Sequence, residues 1–311
     1  MQRLNNDRGA VAVMVALLMV PLIGFAAIAV DVAALRAQRQ QLQTGADAGA
    51  LAIAQDCARN ACGTPTTTAQ SLAVVNTNDG KAATVVSPVT PASHTVTVTA
   101  SSERTHLFAQ VLGFDKGTAA ARATVVWGTP GRGTAVIPLT FSWCEFKLQT
   151  GGGLPSGTIE RTILFTKGSA TSCTGPSNNI VPGGFGWLDV TSGCNLTTII
   201  GQMLTSSTGA SLPSGCSTAD MVAQQNKTVL LPIFDQAFDQ GTSATYHVYG
   251  YAAFVLTGYH FPSHGWNDAG CTSPSMNCIK GYFTKFVDQS SAFDISATAP
   301  DLGARSILLT N

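Results

Sequence analysis

Apolar residues run from Ala10 to Val30 without a charge, and Asp31 closes the run. Those 21 residues, rising ~1.5 Å each, match a hydrocarbon core about 30 Å thick. The pattern therefore predicts a retained membrane-spanning helix. A cleaved signal peptide ending at the small-x-small site Ala27-Ile28-Ala29 is the second reading, disfavoured because the run exceeds the usual ~7–15 apolar residues. Pro21 and Gly24 fall inside it, and helices in lipid tolerate both. After Asp31 the pattern turns one-sided. Val32, Leu35, Leu42, Ala46, Gly49 and Ile53 recur at spacings of three, four or seven, while Arg36, Arg39, Gln40, Gln43 and Asp47 lie off that stripe. The helix is expected to continue to about residue 56. Gly45 and Gly49, with Ala46, Ala50 and Ala54, form rows of small residues that allow close approach of another helix. Two readings stay open: contact with a partner's helix, or an amphipathic helix lying on its own domain.

Downstream the period shortens. Cys57 and Cys62 are expected to close a turn ending the helix, with Pro65 stopping any continuation. Thr68–Asn76 reads as weakly helical, and Asn78-Asp79-Gly80 as a hairpin-type turn. Ala82–Ser87, His94–Ala100 and Thr118–Trp127 read as strands, the second from the alternation Thr95-Val96-Thr97-Val98-Thr99. Glu103–Leu112 reads as a short helix with Phe108, Val111 and Leu112 facing inward. Thr129–Thr134, rich in Gly and Pro, reads as a linker. Beyond it, strands are expected at Ala135–Phe146, Thr158–Thr166, Phe185–Val190, Thr228–Phe234, Thr245–Gly258, Cys278–Asp288 and Arg305–Thr310, with a helix around Asp220–Gln225. This spacing fits a β-sandwich or distorted barrel. The chain is thus expected to be α+β. An anchor and amphipathic helix would occupy 1–56, a small α+β module 57–128, and a β-rich, disulfide-stapled domain 129–311.

Composition narrows the compartment. Seventeen basic residues balance seventeen acidic ones, and only 11% of the 311 residues are charged, so there is no electrostatic footprint for nucleic acid. Eight cysteines, Cys57, Cys62, Cys144, Cys173, Cys194, Cys216, Cys271 and Cys278, follow the apolar run. They contain no Cys-x-x-Cys pair, which argues against zinc and thioredoxin-like sites. An even set beyond a membrane span reads as disulfides in an oxidising compartment. Sequential pairing is the expectation: 57–62, 144–173, 194–216 and 271–278, each closing one local loop.

Candidate chemistry is sparse. Gly151-Gly152-Gly153 with Gly157 lacks the spacing of a dinucleotide fingerprint, and no P-loop sequence occurs. His260 and His264 stand four apart with Asp268 nearby, but Pro262 opposes the helix that would put both on one zinc. A Ser/His/Asp triad finds no Gly-x-Ser-x-Gly elbow. Asp294-Ile-Ser296-Ala-Thr298 has the start of a metal-dependent adhesion site, but only 13 residues follow it. No catalytic, cofactor or metal residue is expected. The aromatic set Trp187, Tyr246, Tyr249, Tyr251, Tyr259, Phe261, Trp266 and Tyr282 reads as core, with a sugar- or partner-binding strip as the second reading.

The segment Arg8-Gly9-Ala10-Val11-Ala12-Val13, the apolar run, Asp31, Leu42-Gln43 and Ala46-Asp47-Ala48 with Ala50-Leu51-Ala52 resembles the N-terminal domain of TadE/TadG-like Flp pilus assembly proteins. Gly184-Phe185-Gly186-Trp187-Leu188-Asp189 and the Cys278–Phe283 stretch are similar, less specifically, to the exported part of TadG-like proteins. The resemblance implies a single-span cell-membrane protein with its N-terminus in the cytoplasm and its C-terminal domain outside. Its partners would be the membrane and other pilus-assembly or pilin-like membrane proteins, with no small-molecule substrate. Pilin-like members are cut after a glycine that has glutamate five residues on. Met14 stands at that place after Gly9, which implies an anchor that stays. A membrane-tethered enzyme or carbohydrate-binding module acting on the cell envelope is the alternative function.

Overall fold

The structure, a computed structural model, describes residues 7–190, 193–206, 209–239, 241–271 and 277–310. It is α+β: a long N-terminal helix, few other helices and many strands. Two compact units form, one from the chain up to Val126 together with Leu309 and Thr310, the other from Trp127–Leu308.

In the first unit, α1 runs from Asp7 to Ala58. Its 52 residues make a rod about 78 Å long at ~1.5 Å per residue. From Val11 to Val30 its side chains are exposed, Ala27 alone being half-buried. The buried stripe begins at Asp31 and continues through Gln38, Leu42, Ala46, Ala50, Ile53 and Cys57. It starts one residue before the stripe read from sequence: Val32 faces outward and Leu35 is half-buried. The helix ends where Asn60 takes a left-handed φ of 61°, a C-terminal stop that asparagine tolerates, and the Cys57–Cys62 disulfide closes the turn.

Pro65 begins α2 (Pro65–Val75) as well as ending the approach to it, because a first-turn residue needs no N–H. The two helices meet through small residues. A Cβ on Gly45 would stand 2.9 Å from the Ala73 Cα, and one on Gly49 3.2 Å from the Ala69 Cα. Of the two readings of the small-residue rows, the structure takes packing on the chain's own domain.

Strands β1 (Ala83–Val86), β2 (Thr95–Thr105) and β3 (Lys116–Gly128) form an antiparallel ladder. Val96, Val98 and Ala100 on β2 and Ala119, Ala121, Ala123 and Val125 on β3 are buried on alternate positions, the period-2 signature of a half-covered sheet. Helix α1 packs on β2, and α2 on β1. The Asn78–Gly80 turn joins α2 to β1 and not two strands. The helix expected at Glu103–Leu112 does not form. Glu103, Arg104 and Thr105 instead pair with Thr118, Gly117 and Lys116, and only Ala109–Leu112 winds into a 3-10 turn. Phe108 and Val111 are exposed and not inward; the Leu112 side chain lies outside the described residues.

In the second unit, the supposed linker is a strand, β4 (Pro130–Ala135). It lies between β10 (Leu196–Ile199) and β17 (Phe293–Ile295). Its glycines serve close packing: a Cβ on Gly133 would fall 2.0 Å from the Phe293 ring. The expected strand at Ala135–Phe146 is split, because Ser142 after β5 (Leu139–Ser142) caps helix α3 (Trp143–Thr150) through the Cys144 N–H. The remaining elements are β6 (Arg161–Leu164), β7 (Ser172–Thr174), β8 (Ile180–Pro182), β9 (Phe185–Trp187), β11 (Met203–Thr205) and α4 (Thr218–Val222). They are followed by β12 (Thr228–Phe238), β13 (Thr245–Phe261), β14 (His264–Trp266), β15 (Cys278–Thr284), β16 (Phe286–Asp288) and β18 (Ala304–Thr310).

The largest sheet among the described residues runs β6-β15-β13-β12-β5-β9. Its two edges meet at a parallel bridge between Phe165 and Phe185, so the sheet curls into a distorted barrel. Register shifts at Leu256/Gly258 and around Phe234 supply the bends such closure needs. Phe141, Phe146, Phe185, Trp187, Phe254, Phe261 and Phe283 fill the interior, with Phe141 and Phe254 rings 4.5 Å apart. On the opposite face Tyr251 packs on Phe293 at 5.3 Å, beneath the β10-β4-β17 sheet. Disulfides join Cys144 to Cys173, Cys194 to Cys216 and Cys271 to Cys278.

The helix crossing can be tested with a matched pair of substitutions. Gly45→Val forces branched atoms onto the α2 backbone and is expected to destabilise the first unit by about 1–3 kcal/mol, the usual cost of overpacking. Gly24→Val, where an added Cβ meets nothing within 4 Å, should leave thermal unfolding of the detergent-solubilised chain unchanged. Equal melting temperatures for the two variants would contradict the close crossing.

Candidate functional site

The site with the most specific geometry lies where α1 leaves its apolar stretch. Asp31 is 4% exposed, and a charge so buried needs partners. Its carboxylate accepts hydrogen bonds from the backbone N–H groups of Leu107, Phe108 and Ala109 at 2.8, 2.9 and 2.7 Å. These amides open the 3-10 turn Ala109–Leu112, so they have no partner within it. Asp31 thus does for a loop 76 residues away what an N-cap does for its own helix. Burial pushes the carboxyl pKa up, but the three amides and the nearby His106 outweigh it and hold it below the ordinary aspartate value. The other end of the turn closes on Gly113, which takes a φ of 85°.

About two and three turns further along α1, glutamines continue the attachment. Gln38 Nε2 reaches Asp79 Oδ2 at 3.5 Å, and Gln41 Oε1 accepts from the Asn78 N–H at 3.1 Å. Gln43 Nε2 donates to Asp47 Oδ1 at 2.7 Å and to the Arg122 carbonyl at 3.1 Å. These bonds tie the helix to the turn after α2 and to β3. They fix its register against the sheet where apolar contact alone would let it slide.

The chemical candidates of the second unit are held in local structure. His260 Nδ1 lies 2.8 Å from Asp268 Oδ2, and that hydrogen bond chiefly keeps the Asp268 carboxyl low. His264 Nδ1 lies 3.0 Å from Thr218 Oγ1 instead, so the two imidazoles have separate partners. Among the described residues, no three or more His, Cys, Asp or Glu side chains converge as a metal site. Asp235 brings a serine and a histidine together, but in the wrong order for nucleophilic catalysis. Both Ser177 Oγ, at 2.7 Å, and His247 Nδ1, at 2.6 Å, bind the carboxylate, so the serine is not on the far imidazole nitrogen that would activate it. Of the aromatic set, Trp187, Tyr246, Tyr251, Tyr259 and Phe261 are fully buried, and Tyr249, Trp266 and Tyr282 half-buried. All but Tyr282 belong to the core clusters or pack against them, so the set does not form an open strip. Burial pushes the Tyr251 phenol up to about 12, its hydroxyl held by Thr198.

The eight cysteines all sit in disulfides. The Asp31 cap escaped sequence reading because it joins residues far apart in the chain. Two signals pointed to it: a lone carboxylate at the end of an apolar run, and the apolar cluster Leu107-Phe108 to Phe114 broken by Gly113.

Residues 9–56 match the family model described as putative Flp pilus-assembly TadE/G-like. This stretch, which contains Asp31, is similar to TadE/G-like domains, and the similarity supports involvement of the chain in Flp pilus assembly. No curated protein and no solved structure matches the chain. Among the described residues, α1 is the one helix long and apolar enough to cross a membrane, which supports membrane association.

Removing the cap has a local and a pH-dependent signature. Asp31→Ala leaves three amides without their acceptor, and hydrogen-exchange protection at Leu107–Ala109 is expected to collapse while β2 and β3 stay protected. The folded-state pKa of Asp31 lies below its ordinary 3.8. Its stabilisation is therefore complete above that value and lost as pH falls through the folded-state value. Protection of these amides, corrected for intrinsic exchange, should fall on acidification in the parent chain but not in Asp31→Ala.

Proposed function

We propose that this chain is a non-enzymatic, membrane-anchored component of Flp pilus assembly. Residues 10–30 span the cell membrane once, the N-terminus lies in the cytoplasm, and both folded units work outside. The observation that carries this reading is the coincidence of the TadE/G-like match over residues 9–56 with a helix exposed all round as far as Val30 and one-sided after it. An all-round apolar surface suits lipid, whereas a striped one suits a folded domain. Disulfides in both units suit an oxidising compartment, which supports the orientation. The partners are other pilus-assembly or pilin-like membrane proteins. The serine held by Asp235 and the buried aromatics supply neither a nucleophile nor a sugar platform, so the folded units act by contact. In domain terms, 1–56 is the anchor, 57–128 its supporting module and 129–311 the exported part.

Deleting the gene from a piliated host is expected to abolish Flp pili, with restoration by the parent copy; normal piliation in the deletion strain would overturn the assembly role. Orientation is read separately. Ile159 is 78% exposed, so a Cys placed there should react with a membrane-impermeant maleimide on intact cells. Labelling only after lysis would reverse the orientation.

A further inference from the structure

The loop that Asp31 holds is apolar and uncovered. Leu107, Phe108, Val111 and Phe114 are 65, 46, 89 and 66% exposed, a concentration that folded surfaces rarely leave in water without a purpose. Phe108 and Val111 line an apolar groove whose other wall is the helix itself, through Val20, Ile23, Gly24 and Ile28. Those helix residues all precede Asp31 and belong to the exposed apolar run. Ile28 and Gly24 stand roughly 5 and 10 Å back along the axis from Asp31, at ~1.5 Å per residue. The near end of the groove thus lies at the depth, about 5–10 Å, to which interfacial segments bury an apolar face, and Ile23 and Val20 carry it further along the helix.

We propose that residues 107–114 are a second membrane contact. The loop lies in the leaflet from which α1 emerges, its apolar side chains in the headgroup–acyl boundary, and lipid acyl chains fill the groove beside the helix. Lipid is the occupant because the groove wall is continuous with the face of α1 that is apolar and exposed all round from Val11 to Val30. The loop backbone can sit there because its leading amides are satisfied by Asp31, and unsatisfied backbone groups are what normally exclude irregular chain from lipid. Two contacts instead of one fix the rotation of the helix about its own axis and the height at which it leaves the membrane. The inference rests on residues 10–30 being a membrane span.

The full chain has no free cysteine among the described residues, so single engineered thiols can carry a fluorophore without reduction. Val111→Cys is compared in proteoliposomes with Leu18→Cys, within the span, and Val85→Cys, exposed on β1. Quenching by spin-labelled lipids is expected to be several-fold stronger at positions 111 and 18 than at 85, with iodide in water giving the reverse order. Iodide quenching at 111 without lipid quenching, while 18 remains lipid-quenched, overturns the membrane loop and leaves the span standing. Shielding of 111 from both quenchers also overturns it, since a second copy then covers the groove. Absence of lipid quenching at both 111 and 18 overturns the loop together with the anchor.

Discussion

One buried carboxylate marks the point at which the surface of α1 changes character. Before Asp31, α1 presents apolar side chains in every direction; after it, one face is covered by protein and the other is polar. A charge buried at that junction would be costly without partners. It is stable because three amides converge on it, and those amides in turn have no acceptor within their own 3-10 turn. The dependence is mutual: the loop supplies what the carboxylate needs, and the carboxylate holds the loop against the helix. The strand pairing from Thr95 to Thr105 and from Lys116 to Val126 then follows, because a hairpin whose tip is held has little freedom of register.

The helix was largely legible in the sequence because its signals are periodic and local. The apolar run, the change of pattern at Asp31 and the small-residue rows each appear within one or two turns. What was not legible depended on pairing partners. Glu103–Leu112 has helical composition, yet β3 offers a longer ladder to Glu103, Arg104 and Thr105 than a short helix could offer within itself. Tertiary pairing overrides weak propensity there. The same holds for Pro130–Ala135, where glycines suggested a flexible connection. The side chains of Phe293 and Ser296 occupy the space that Cβ atoms would need, so the glycines are required by close packing.

In the second unit, a sandwich or distorted barrel could be expected from strand spacing, but not which strands close it. Closure falls on Phe165, one residue past the end of β6, and Phe185, the first residue of the three-residue β9, segments too short to show a period of their own. The disulfides complement that irregularity. Cys144–Cys173 and Cys194–Cys216 bridge 29 and 22 residues of loop-rich chain, the lengths at which restricting the unfolded state is worth about 3 kcal/mol each in the chain-entropy picture. Short strands separated by long loops order many residues for few ladder bonds, and cross-links of this kind reduce the entropy lost on folding.

The same logic bears on how the chain would meet other membrane proteins. Gly45 and Gly49 have the spacing that partner helices exploit in lipid, but α2 already occupies both. A neighbouring helix is therefore left with the run from Val11 to Val30, where an added Cβ on Gly24 meets nothing and side chains are exposed around the whole circumference. Without a hydrophobic drive between helices in lipid, association there depends on shape and on the angle at which two rods approach. The attitude of the helix on its own folded unit is held by the glutamine bonds to Asn78, Asp79 and Arg122 and by the Asp31 cap. The folded face of α1 orients the helix, and the exposed face remains available for contact.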